Sequence, residues 1–215
     1  MLFKAILSLA LALGVSAQGS QVQYTEKQSG ITVTAYSNAN FLFGVALPTT
    51  PSTDFIGVMI GKGTGWAAVS LGGPMTQNAL LLATWPNAKA VLSSFRKTTS
   101  YASPAVAKGA WTLYPIANGT YTNTTHWVST FLCKACLSTD GSTFDASAAS
   151  DTLGWAFNTA APTTKSSVTT TFTKHGSQGS YSADLKSAKT AKYATWAAYA
   201  SNTTSTAFVK KEFEA

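Results

Sequence analysis

Residues 65–87 read GWAAVSLGGPMTQNALLLATWPN. Two short apolar runs, WAAVSL and ALLLATW, flank a Gly72-Gly73-Pro74 turn signal. Runs of this length bounded by turn residues read as two strands and their connection. Met75 stands at the tip of that connection, where small or polar residues are usual. A soft thioether in that position asks for a reason.

The same pattern recurs along the chain. ITVTAYS, FLFGVAL, DFIGVMI, AVLSSF, HWVSTFLC, LGWAFN and SSVTTTFTKH are further strand candidates, separated by Gly, Pro, Asn and Ser. Many short strands at such spacing predict an all-β sandwich or barrel, and the β-branched and aromatic content agrees. One short C-terminal helix is expected in AKTAKYATWAAYA, where Tyr193, Trp196, Ala197 and Ala200 share a face at helical spacing. No repeat or long linker interrupts the chain, so residues 18–215 read as one domain.

Residues 1–17 carry the marks of a secretory signal peptide: Lys4, the apolar AILSLALALGV and a small-residue site at Val15-Ser16-Ala17. No other run is apolar and long enough to predict a membrane span. A secreted, extracellular protein is therefore expected. Glycosylation sequons at Asn118, Asn123 and Asn202 agree with that location. Net charge is +7, yet the lysines are scattered without the aromatic interleaving of a nucleic-acid face, so no nucleic-acid partner is expected. Charged residues make up only 11% of the chain, well under the usual quarter, which suits short polar loops between strands.

Catalytic motifs are sparse. Cys133-Lys134-Ala135-Cys136 is followed by Leu137 rather than the histidine of covalent haem attachment, and a structural zinc site would need more ligands. In a secreted chain a local disulfide between Cys133 and Cys136 is expected. GKGTG at 61–65 departs from a dinucleotide fingerprint because Trp66 follows, and it reads as a strand connection. No G-x-S-x-G surrounds a serine, and Asp140 and Asp145 sit in a polar loop. The two histidines, His126 and His175, and the internal methionines, Met59 and Met75, remain, and His126, in TNTTHWVSTF, reads as a surface strand residue. His175 ends the SSVTTTFTKH run and precedes Gly176 and Gly179. Methionine and histidine together form an axial pair for haem iron, with sulfur favouring the reduced state. A loop methionine filling a gap and a structural histidine are the alternatives the residues leave open.

In order along the chain, FLFGVALP, DFIGVMI, GWAAVSLGGPMTQNALLLATWPN, CKACL, LGWAFN and HGSQGSYSADL resemble the cytochrome domain of fungal cellobiose dehydrogenase, one of the DOMON-type sandwiches. The resemblance implies an antiparallel immunoglobulin-like β-sandwich with a haem pocket at one end. It implies haem b as cofactor, with Met75 and His175 as its axial ligands and Trp66, Phe41 and Phe43 as candidate wall residues. It further implies single-electron transfer with extracellular redox partners: a lytic polysaccharide monooxygenase, a flavin dehydrogenase or ferric complexes. Polysaccharide is a further candidate partner. No flavin domain or dinucleotide fingerprint accompanies these motifs, so an electron-transfer protein or iron reductase domain is expected rather than a stand-alone dehydrogenase. The alternative is a haem-free, glycan-binding DOMON-type module.

Overall fold

The loop at 71–80 joins two strands that pair antiparallel, Val69 with Leu82 and Ser70 with Leu81. The computed structural model describes residues 19–200 and 207–209. The expected signal peptide, 1–17, and Asn202 lie outside the described residues. The strands are β1 (Ser20–Thr25), β2 (Thr32–Ser37), β3 (Phe41–Pro48), β4 (Phe55–Lys62), β5 (Trp66–Ser70), β6 (Leu81–Asn87), β7 (Ala90–Lys97) and β8 (Ala105–Val106). They continue as β9 (Thr112–Pro115), β10 (Tyr121–Thr122), β11 (His126–Lys134), β12 (Ser150–Asn158), β13 (Ser177–Asp184), β14 (Lys189–Thr190) and β15 (Ala207–Val209).

Two sheets form. The first runs β1-β2-β3-β4-β11-β10, with β14 on β3 and β9 on β11. The second runs β13-β12-β5-β6-β7-β15, with β8 on β7. Pairings are antiparallel except for β14 on β3. This is the expected all-β sandwich. Side chains alternate across each strand, so one face of each sheet is buried against the other. Phe43, Phe55, Met59 and Phe131 from the first sheet meet Val69, Leu82, Leu153 and Phe157 from the second. Met59 is thus a gap filler in the core.

The single α-helix among the described residues, α1 (Tyr193–Ala197), lies where the helical spacing placed it. Its Trp196 packs with Ile31, Val33 and Ile56 on the outer face of the first sheet, joined by Tyr193, Ala197 and Ala200. Cys133 and Cys136 are disulfide-bonded, with their Cα atoms 5.7 Å apart. Ala135 between them adopts a positive φ of 54°, and its N–H donates to Asp54 Oδ1 at 2.8 Å.

Two edges are closed by side chains. Buried Glu26 accepts from the N–H groups of Gln28 and Ser29, capping the β1–β2 turn. Gln21 on β1 donates to the Ser182 carbonyl and accepts from the Asp184 N–H, both on edge strand β13.

The sequence reading differs from the structure at 166–175. SSVTTTFTKH is not a strand; it is turns up to Thr169 and irregular chain from there to His175, and the strand is the Ser177–Asp184 stretch that follows. His175 therefore precedes a strand rather than ending one. Val168 and Phe172 are the large apolar residues of that run, and both pack on the outer face of the second sheet. Their four-residue spacing would suit one face of a strand, but the threonines between them bond to Thr163 and to nearby backbone instead of leaving the chain free to pair.

Of GKGTG, Gly61 and Lys62 end β4 and residues 63–65 connect it to β5. A Cβ on Gly65 would overlap the Asn158 carbonyl oxygen of β12, whereas Gly63 has open space but a φ of +69°. Gly65→Ala is expected to lose roughly 1–3 kcal/mol or more by forcing β5 and β12 apart. Gly63→Ala is expected to lose about 1–2 kcal/mol through backbone strain alone. Denaturant unfolding of both variants checks the order.

Candidate functional site

Strand β12 sorts its residues by size. Leu153, Trp155 and Phe157 face the core, and Trp155 lies against Phe41 at 5.7 Å between ring centroids. The alternate residues, Gly154 and Ala156, point outward. On neighbouring β5 the outward positions are Trp66 and Ala68, and on β6 they include Ala83 and Trp85. The outer face of the second sheet thus carries a floor of very small side chains: Gly154, Ala156, Ala68 and Ala83. Ala68, Gly154 and Ala156 are only partly covered.

Two loops border that floor. The first, 71–80, is closed at its base by the Leu71 N–H donating to the Leu80 carbonyl at 2.9 Å. Ser70 Oγ donates to the Gly73 carbonyl, and that oxygen would lie 3.2 Å from a Cβ built on Gly154. The loop therefore folds over the outward side of β12. Gly73 has φ +81°, and Pro74 leads into a 3-10 turn, Met75–Gln77, ended by Asn78 at φ +59°. These special dihedrals set the loop's course, as Gly and Asn permit them cheaply. Met75 is the first residue of the turn and is partly buried.

The second border is the segment 159–176. Phe172 wedges between Trp66 and Trp85, with centroids at 5.1 and 5.4 Å. Trp85 Nε1 donates to the Lys165 carbonyl at 2.8 Å. Asn158 Nδ2 donates to the Lys174 carbonyl at 2.6 Å, and the Gly176 N–H to the Phe157 carbonyl at 2.9 Å. His175 is pinned between these last two bonds. The loop of Met75 is anchored beside Gly154 and that of His175 beside Phe157, three residues along one strand, or about 10 Å.

Burial lowers the pKa of His175 below its ordinary 6.5, and the ammonium of Lys174 lowers it further, against an opposing backbone hydrogen bond. The neutral imidazole, the form that can donate a lone pair, is thereby favoured. The rim segments 71–80 and 159–180 contain Lys165, Lys174 and His175 but no carboxylate.

Other sequence candidates lie elsewhere. His126 starts β11 in the first sheet, hydrogen-bonded to Thr125 Oγ1 at 2.8 Å. Asp140 and Asp145 accept from backbone N–H groups within their own turns. Asn118 and Asn123 are exposed. Of the candidate wall residues, Trp66 borders the floor, while Phe41 and Phe43 point into the interior between the sheets. Sequence reasoning passed over Gly154, Ala156, Ala68, Phe172 and Arg96. The alternation of small with large residues in LGWAFN was the signal for the first two.

Among the described residues no three His, Cys, Asp or Glu side chains converge as a metal site. Met75 and His175 alone would leave a bare transition metal short of ligands. A macrocycle that brings four donors of its own would need only two more from the protein, and room between them free of bulky side chains. The donor set and the glycine–alanine floor fit haem. The indole N–H of Trp66, buried at 5% exposure without a partner, adds a polar donor at the border of that floor.

The family described as the cytochrome domain of cellobiose dehydrogenase matches residues 24–195. This chain belongs to that family. Its fold is similar to the cytochrome domain of Myriococcum thermophilum cellobiose dehydrogenase, at 33% identity and a TM-score of 0.75 over 88% of this chain and 100% of that one. It is equally similar in fold to the cytochrome b domain of Coprinopsis cinerea pyranose dehydrogenase, at 26% identity and a TM-score of 0.75 over 85% and 97% of the two chains. A curated relative, the pyrroloquinoline quinone-dependent pyranose dehydrogenase of Coprinopsis cinerea, is 30% identical over 191 residues. The match takes in 83% of this chain and 26% of that enzyme, so the chain spans about a quarter of the relative's length. No helix among the described residues is long and apolar enough to cross a membrane.

In the cofactor-free protein the C–H resonances of His175 are expected to titrate with a midpoint below 6.5. Lys174→Gln is expected to move that midpoint upward, because one of the two lowering influences is removed. An NMR titration checks both.

Proposed function

We propose that this chain is a secreted b-type cytochrome that passes single electrons between extracellular redox partners, with Met75 and His175 as the axial ligands of haem b. The observation that carries the reading is the pair of loops anchored on β12, one bearing the thioether and the other the imidazole, on either side of a floor of Gly154, Ala156, Ala68 and Ala83. When bound, haem b supplies a reversible one-electron ferric/ferrous couple.

The protein's own residues do the rest. Met75 offers a soft sulfur that favours the reduced metal. His175 offers a neutral nitrogen, kept neutral by burial and by Lys174. Held by these two side chains, the group would be left to exchange electrons rather than to bind small molecules. Phe172, Trp66 and Trp85 form an apolar wall on the histidine side and keep water from that border. Both ligands sit on loops tied to one sheet, which limits rearrangement between oxidation states. The donor we favour is a quinone- or flavin-dependent sugar dehydrogenase, and the acceptor a lytic polysaccharide monooxygenase or a ferric complex. Lys165 and Lys174, with no carboxylate beside them on the rim, suit an acidic partner surface.

Protein loaded with haem is expected to show a low-spin spectrum in both oxidation states. Met75→Ala and His175→Ala should each lose the six-coordinate low-spin form. An unchanged low-spin spectrum in either variant would rule out that residue as a ligand. Ala156→Leu puts bulk on the floor without touching either ligand. Its haem content should fall at least about tenfold, while its own stability should fall by no more than about 1–3 kcal/mol, the range for added bulk at a packed position. Haem titration and thermal unfolding measure the two effects.

A further inference from the structure

Arg96 is buried at 2% exposure on β7, and among the described residues none of its partners is a carboxylate. A cation taken out of water is costly unless its donors are satisfied. Here they are satisfied by neutral oxygens. Nε donates to Ser94 Oγ at 2.8 Å and Nη1 to the Pro104 carbonyl at 3.0 Å. Nη2 donates to the carbonyls of Val168 at 2.6 Å and Thr170 at 3.0 Å. The guanidinium carbon also lies 4.9 Å from the centroid of the Phe172 ring. Burial alone lowers its pKa, as expected for a cation without a counter-charge.

Both bonds of Nη2 and the ring contact fall on one stretch of chain. Residues 163–171 are a self-bonded loop: Thr164 N–H donates to Thr170 Oγ1, and Thr170 N–H to the Ser167 carbonyl. Such a loop has no strand partner to fix its position. Arg96 grips it at 168 and 170 and lies over 172, three residues before His175. Phe172 is held in turn by its N–H, which donates to Ser103 Oγ at 3.0 Å.

We propose that Arg96 is a positioning residue for His175: it clamps the 163–174 segment to the outer face of the second sheet and so fixes where the imidazole is presented. The proposal rests on the ligand reading of His175 given above. The planar fork is essential to it. A guanidinium sends donors in several fixed directions at once, whereas an ammonium is a single point with a different reach. Lysine at this position keeps the charge and loses the geometry.

The test uses the haem-loaded protein and its Arg96→Lys and Arg96→Met variants. Amide hydrogen exchange is followed across the chain. The temperature at which the low-spin spectrum converts is compared with the temperature of global unfolding by circular dichroism. Protection within 168–176 should fall at least about tenfold in both variants, the scale of one hydrogen bond to a charged group, while β5, β6 and β12 keep theirs. The low-spin spectrum should then fail well below global unfolding, whereas in the parent the two coincide more closely. Unchanged protection in 168–176, a loss spread evenly over the sheet, or a loosened segment with the low-spin spectrum fully retained would each overturn the proposal.

Phe172→Ala releases the same segment from the slot between Trp66 and Trp85, takes the ring from beside Arg96 but leaves all four hydrogen bonds of the guanidinium in place, and serves if the arginine variants do not fold. It should give the same local loss and the same early spectral conversion, and absence of both would count against the clamp. If His175→Ala leaves the spectrum unchanged, the ligand reading fails, whereas the exchange data still report separately on whether Arg96 holds the segment.

Discussion

The site depends on the pleat of one strand. Because successive side chains of β12 point to opposite faces, five residues can serve two purposes at once. Leu153, Trp155 and Phe157 close the core, and Gly154 and Ala156 leave the outer face bare. A shift of one residue in the pairing of β12 would send Trp155 outward and bring the small residues into the core. Pairing on both sides, with β5 and with β13, holds the strand against such a shift. Floor and core are therefore specified together.

From this strand the rest of the architecture follows. The loop that carries Met75 passes over Gly154, where glycine leaves room for the Gly73 carbonyl. The segment that carries His175 leaves the end of β12 at Asn158 and returns to pair as β13, so it begins and ends on the same sheet. Between those points aromatic wedging and Arg96 take the place of a strand partner. The loops bring chemically chosen residues, and the rigid sheet decides where those residues stand.

Much of this was legible in the sequence. The Gly72-Gly73-Pro74 turn between apolar runs announced the β5–β6 hairpin, and the spacing of Tyr193, Trp196, Ala197 and Ala200 announced the helix face. Met75 and His175 stood out as the residues with unspent chemistry. The error at 166–175 has a physical cause. Threonine favours extended chain in general, but its hydroxyl also bonds to local backbone, and here turns and the seat of Phe172 prevailed over strand propensity. Arg96 was illegible for a different reason: the partners by which it holds the 168–170 stretch are carbonyls more than seventy residues away, and backbone oxygens carry no sequence signature. The face that Phe41 and Phe43 present could not be read, because an aromatic-rich strand buried throughout shows no alternation to betray which side is the interior.

The amide of Gln21 carries a consequence of another kind. Its NH₂ and C=O engage a carbonyl and an N–H of β13, as the peptide group of an adjoining strand would. A bare sheet margin invites another chain to lie alongside it and continue the ladder. Here one side chain imitates the missing neighbour over the half of β13 remote from His175. The margin is blunted there without a further strand, and two molecules meeting in solution find that stretch of backbone already engaged.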